Sequence, residues 1–201
     1  MINGISLGSI NAIIALGYTM VYGIAKMLNF AHGDIIMVGA FTTFTVVSTM
    51  GGNPIVGIFA AVVVCTVLGV TIERVAYKPL RGTSPLAVLI TAIGVSYLLQ
   101  NVALLIFGSN YKQFTSVVNI PALKLADGQL SISGVTLVTI ISCILIMLVL
   151  TTFINKTKIG QAMLAVSEDK GAATLMGIDV DRTIAVTFAI GSALAALAGV
   201  L

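Results

Sequence analysis

The sequence predicts an all-α, polytopic transmembrane helix bundle of about six spans with its N-terminus outside, and three observations predict it. Of the 201 residues, 58% are hydrophobic and only 8% charged, against roughly 25% charged residues in soluble domains; mean hydropathy is +1.13. The apolar residues come in long unbroken runs rather than the ten-residue alternation of a membrane β-barrel, so the backbone polar groups must be satisfied within helices. The basic residues fall mainly on alternate connectors.

Six runs are long enough to cross, or nearly cross, a bilayer: about residues 4 to 24, 35 to 50, 55 to 72, 86 to 107, 134 to 154 and 183 to 201. If each crosses, one side carries Lys112 and Lys124, and the other carries Lys26, Arg74, Lys78, Arg81, Lys156, Lys158, Lys170 and Arg182. The richer side is cytoplasmic by the positive-inside rule, and the N-terminus is outside. The richer side also has more connector, 51 residues against 33, so length alone would give it about six of the ten, and the bias is moderate. The run 35 to 50 is the marginal one; were it not to cross, every later assignment would invert. The first run lacks a basic leader and is expected to be retained. The last run ends without a polar flank, which makes the chain read as the N-terminal part of a longer one.

Small residues recur at helix-neighbour spacing, Gly4, Gly8 and Ala12 in the first run and Thr187, Gly191, Ala195 and Gly199 in the last. Such stripes let helix backbones approach in lipid and identify no substrate.

Segment 155–182 holds eight charged residues. At about 2.5 to 3.5 kcal/mol per charge at mid-bilayer, burying them would cost on the order of 20 kcal/mol, so the segment lies outside the lipid. Its pattern is still that of a folded element. Ser167 reads as a helix cap, Glu168 and Asp169 as first-turn acids, "KGAATLM" as the body, and Gly177 as a left-handed closure followed by Ile178. So short a helix is not stable alone in water, and Ala172, Leu175 and Met176 need a surface, either the bundle itself or a soluble partner.

Within the spans, Asn11, Ser96, Gln100 and Asn101 are the uncharged groups able to hydrogen-bond a passing solute, although such residues also serve as interhelical glue. In "NFAHGD", Asn29 and His32 are pathway candidates on a turn that reads as a Gly-interrupted, re-entrant one, whereas Asp34 reads as structural. "ERVAYKPLRGTSP", residues 73 to 85, reads as a rigid basic connector at the headgroups.

Three blocks in order, "YGIAKMLNFAHGDIIMVGA", "ERVAYKPLRGTSPLAVLITAIGVSYLLQN" and "TKIGQAMLAVSEDKGAATLMGIDVDRTIAVTFAIGSALAALAGVL", resemble the permease subunits of bacterial branched-chain amino acid importers of the ATP-binding cassette class. The resemblance implies that residues 1–201 are a permease domain truncated at its C-terminus and that 155–182 is its cytoplasmic coupling loop. In that family the "A-x-x-x-D-x-x-x-A-x-L-x-G-I" stretch seats in a groove of the ATPase subunit. Ala165, Asp169, Ala173, Leu175, Gly177 and Ile178 occupy the matching positions, with Glu168, Ala172 and Met176 on the same element. The implied partners are a homologous permease, two ATPase subunits and an extracytoplasmic solute-binding protein, in the inner membrane.

The rest of the sequence is consistent with that expectation. No lysine follows a glycine, so there is no P-loop; the chain is expected to bind no cofactor, with ATP used by a partner. One histidine and the separated Cys65 and Cys143 give no metal-site spacing, and the basic residues form no nucleic-acid patch. An ion-coupled secondary carrier is disfavoured because all seven acids fall in predicted connectors. A serine hydrolase built on Gly94-Val95-Ser96-Tyr97 with His32 as base would need the two side chains within hydrogen-bond reach. A channel would need a filter motif, and none is present.

Overall fold

A computed structural model describes residues 2–49, 51, 53–110, 123–125, 130–132 and 134–201. Lys112 and most of the loop holding it lie outside the described residues. Among the described residues eight α-helices follow in order: α1 (Ile2–Ala25), α2 (His32–Phe44), α3 (Pro54–Ile72), α4 (Pro85–Phe107), α5 (Gly134–Lys156), α6 (Lys158–Glu168), α7 (Lys170–Leu175) and α8 (Val180–Val200). A wide turn at Thr45–Thr49 extends α2, and a wide turn at Glu73–Tyr77 with a tight one at Lys78–Leu80 extends α3. Strands β1 (Leu123–Leu125) and β2 (Leu130–Ile132) pair antiparallel between α4 and α5.

Local chemistry sets the boundaries. Asn53 caps α3 by accepting from the Ile55 amide at 3.0 Å, and Pro54 takes the first turn, where its missing N–H is no loss. Ser84 and Pro85 repeat the arrangement at α4, which Gly108 closes at φ 75°. Thr157 caps α6, Asp169 caps α7 and Asp179 caps α8.

Among the described residues five helices are long and apolar enough to cross a membrane, and His32–Ser48 is a shorter apolar helix. At 13 residues α2 is about 20 Å long, short of a core about 30 Å thick. Its N-terminus starts well inside the bundle. His32 packs against Gly17 of α1, close to Gly191 of α8, and the Ile35 carbonyl accepts from Cys65 Sγ of α3 at 3.4 Å. Each of these neighbours lies far from its helix ends. Residues 26–31 therefore return from the end of α1 as non-helical chain, turning at Lys26 (φ 56°) and again where the His32 amide donates to the Asn29 carbonyl at 3.2 Å, with Met27, Asn29 and Ala31 buried and Leu28 and Phe30 exposed. Non-helical backbone at this depth is tolerated where protein covers it. The pass is completed, since α2 runs antiparallel to α3, with Thr43 meeting Gly57 as Ile35 meets Cys65. The marginal run is thus a helix packed along a spanning-length one, shorter than the other five.

The core forms around α8, which packs on α1, α2 and α3. Lipid tails are as apolar as leucine, so contact and not water exclusion drives this packing. A Cβ at Gly69 would lie 2.6 Å from Ser192 Cβ; one at Gly191, 2.7 Å from Val21 Cγ2; one at Gly199, 2.5 Å from the Ile36 carbonyl. The stripe on the last helix is thus the packing seam. The one on the first is different, because Gly4 and Gly8 face open space within this chain.

Candidate functional site

Two regions carry chemistry. The first is the charged segment between α5 and α8. Segment 155–182 contains two helices, α6 and α7, where the sequence suggests one starting at Ser167. The reason is competition between caps. Thr157 Oγ1 accepts from the Gly160 amide at 3.0 Å and starts α6 early, and Ser167 ends up inside it, donating to the Leu164 carbonyl. Asp169 then breaks the helix in an extended conformation, and its Oδ1 accepts from the Gly171 and Ala172 amides at 2.7 and 3.0 Å. Asp169 is therefore the cap of α7 and not a first-turn acid. The closure at Gly177 is as expected: φ is 81°, the Gly177 amide donates to the Thr174 carbonyl and the Ile178 amide to the Ala173 carbonyl, both at 3.0 Å. The signal for α6 was legible, since Ile159, Met163 and Val166 follow a helical period after a threonine cap.

The peg so formed has two faces. Ala173 is buried and Ile178 and Ala165 pack on the core, so these three hold the peg rather than present it. Glu168, Ala172 and Gly177 are exposed, and Leu175 and Met176 are 90% and 82% exposed. Lys170 Nζ donates to the Ala25 carbonyl at 2.7 Å, tying α7 to the end of α1. Burial, then the charges of Arg81 and Lys26, hold the Lys170 ammonium pKa below its ordinary value. Directly after the peg, Asp181 in the first turn of α8 pairs with Lys78 at 3.0 Å and with Arg81, which also pairs with the buried Glu73. The 73–85 connector is thus latched to the base of α8, where the sequence suggests mainly headgroup contacts, with an ATPase or a neighbouring permease as the other partner.

The second region is at mid-membrane. Asp34, in the first turn of α2, is 7% exposed; its carboxylate accepts from the Ser96 hydroxyl and from Gln100 Nε2, the latter at 3.1 Å. Gln100 Nε2 also donates to Ser96 Oγ at 3.2 Å. Ser96 and Gln100 lie on the middle turns of α4, so the acid sits deep, level with the centres of α3 and α4. This corrects the sequence reading in which all seven acids lie in connectors and Asp34 is a turn residue. Hydropathy assigns a polar run to water, whereas here tertiary packing draws it inward. The acid-free interior that disfavoured an ion-coupled carrier is not found.

The other pathway candidates separate. Asn29 is buried and its Oδ1 accepts from Tyr77 Oη at 3.1 Å, locking the climbing segment to the end of α3. His32 faces away from Asp34 towards α1, edge-on to Tyr18, and its Nε2 has no hydrogen-bond partner. Ser96 bonds Asp34 and not His32, so the nucleophile–base pair of a hydrolase is not assembled. Asn101 is exposed and donates to the Tyr97 carbonyl at 2.7 Å; Asn11 is exposed on α1. No group of three metal-ligating side chains occurs among the described residues.

Comparison with known proteins agrees with this architecture. The whole chain, residues 1–201, matches the family described as "Branched-chain amino acid transport system / permease component". It is 42% identical to the high-affinity branched-chain amino acid transport system permease protein LivH of Salmonella typhimurium and, equally, to that of Escherichia coli, with all of this chain aligned to 68% of each relative. It is 41% identical to the permease protein BraD of Pseudomonas aeruginosa, covering 69% of it. No solved structure gives a significant match. A bundle of membrane-crossing helices, matched end to end and bearing no assembled catalytic group among its described residues, belongs to the branched-chain amino acid transport system permease family.

Proposed function

We propose that the chain is the membrane permease subunit of an ATP-driven importer of branched-chain amino acids in a bacterial inner membrane. One of two ATPase subunits would seat the α6–α7 peg from the cytoplasm, the other serving the homologous permease. The observation that carries this reading is the pair Leu175 and Met176, almost wholly exposed at the tip of a helix that is capped at both ends and anchored by Ala173 and Lys170. Burying such a side chain is worth about 1.5 to 3 kcal/mol, so a groove on a soluble partner would gain from accepting both. A push on the tip reaches α8 through the turn at Gly177, and α3 and the 73–85 connector through Asp181 and Arg81. The chain binds no nucleotide in this reading; ATP is used by the partners. A homologous permease would complete the pathway along α4, with Ser96, Gln100 and Asn101 on it, and a solute-binding protein would deliver substrate from outside.

The test is Leu175→Arg combined with Met176→Arg in the assembled transporter. ATPase copurification is expected to fall at least tenfold and uptake of leucine to disappear, while the permease keeps its thermal melting profile. Retained uptake would remove the peg from the mechanism.

A further inference from the structure

Asp34 is a carboxylate level with the middle of α4, and among the described residues it has no ion-pair partner. The ion pairs among the described residues, Lys78 with Asp181 and Arg81 with Glu73 and Asp181, are all at the cytoplasmic end. The hydrogen-bond partners of the Asp34 carboxylate are neutral: the Ser96 hydroxyl and the Gln100 side-chain amide. Neutral donors offset part of the cost of a buried charge, and an ionised side chain in a span ordinarily finds an opposite charge. The cluster is also reachable. Gln100 is exposed, as are Tyr97 (63%) and Asn101 beside it, so a polar stripe runs along the outward face of α4 at the level of the acid. In hydrocarbon such a stripe is unfavourable; it suits a face that lines a pathway. A helix N-terminus by itself favours the negative end of a ligand. Here Asp34 already fills that place, which reverses the preference.

Resting on the transport reading above, we propose that the Asp34 carboxylate, positioned by Ser96 and Gln100, receives the α-ammonium group of the amino acid as it crosses the membrane. The charge missing from the protein is then brought by the substrate, and the neutral partners keep the acid from being held by a permanent salt bridge that would block passage.

The experiment uses the assembled transporter, without its solute-binding protein, in nanodiscs, with bound tritiated leucine read by scintillation proximity. Two competitors are compared: leucinol, which keeps the ammonium and lacks the carboxylate, and 4-methylpentanoate, which keeps the carboxylate and lacks the ammonium. The wild type is expected to bind leucinol at least 30-fold more tightly than 4-methylpentanoate. Asp34→Asn should bring that ratio below 3, and Asp34→Glu should restore more than half of it. A purely structural role would weaken both competitors and leave the ratio unchanged, which overturns the proposal. Should Asp34→Asn fail to assemble, Gln100→Leu gives the same readout, with an expected fall in the ratio of 3- to 10-fold and no change as the contrary result. Wild-type proteoliposomes that take up leucine with ATP but rank 4-methylpentanoate first would overturn the role of Asp34 alone. Wild-type proteoliposomes that take up no branched-chain amino acid would overturn the transport reading and this proposal with it.

Discussion

Helices α8 and α4 have similar lengths, 21 and 23 residues, and both are apolar enough to span a bilayer, yet they are built for opposite surroundings. Over half (56%) of the most apolar stretch of α8 is buried within the chain, against 11% for α4 and 6% for α5. On α8 the residues at the seam are small, and neighbouring backbones close onto them. On α4 the exposed side chains include Tyr97, Gln100 and Asn101 among aliphatics, whereas the large exposed side chains of α5, Ile141, Ile144, Leu145, Leu148 and Val149, are apolar. Exposure alone therefore does not say what a span faces. An outward face that is uniformly aliphatic suits lipid, and one with polar groups at mid-depth suits protein or a watery route.

The largest expected effect comes from the base of α8. Arg81 pairs with both Asp181 and Glu73, and Glu73 is 1% exposed. Removing the cation strands a buried carboxylate, which costs about 3 to 5 kcal/mol. Arg81→Ala should therefore lower the thermal midpoint of the purified permease by roughly 6 to 20 °C, at about 2 to 4 °C per kcal/mol for a domain of this size. A shift under 2 °C would mean that α8 is held by its seam and not by the latch.

The seam itself is tested next, by placing one methyl group on each helix contact. Gly69→Ala drives a Cβ into Ser192 and towards the Phe188 carbonyl, 3.3 Å away, and overpacking of this kind costs about 1 to 3 kcal/mol. Gly94→Ala on α4 meets nothing within 4 Å and should be neutral or slightly stabilising, because alanine is the better helix former. Detergent melting curves of the two variants should differ by several degrees in that order. Equal melting would erase the distinction between a closed hub and an open face.

Much of this contrast was legible in the sequence, and its limits have physical causes. All six apolar runs lie in helices within a few residues of their expected bounds, because a bilayer leaves the backbone no cheaper solution. The seam on α8 shows in the spacing of Gly191, Ala195 and Gly199. The depth of Asn29, His32 and Asp34 does not show. A polar run reads as connector unless one knows that Gly17 and Gly191 leave a recess for the His32 ring and that Ser96 and Gln100 wait for the carboxylate. Those partners lie 15 to 159 residues away in sequence, so local hydropathy carries no trace of them. The peg was half legible for a related reason: Ser167 and Asp169 are both good caps, and only the earlier start at Thr157 decides between them.

The smallest expected effect separates the two cations at the latch. Lys78 and Asp181 are each 51% exposed, and Asp181 keeps its contact with Arg81 when Lys78 is lost. Exposed pairs are worth about 0 to 1 kcal/mol and are weakened by salt. Lys78→Ala should thus move the midpoint by less than about 4 °C in 0.15 M salt. The same variant measured in 1 M salt should be indistinguishable from the wild type, since screening has already removed most of what the lysine supplies. If Lys78→Ala instead matches Arg81→Ala, the latch works as one three-residue network in which Lys78 holds Asp181 in place for Arg81, and the base of α8 owes its position to charge as much as to its seam of small residues.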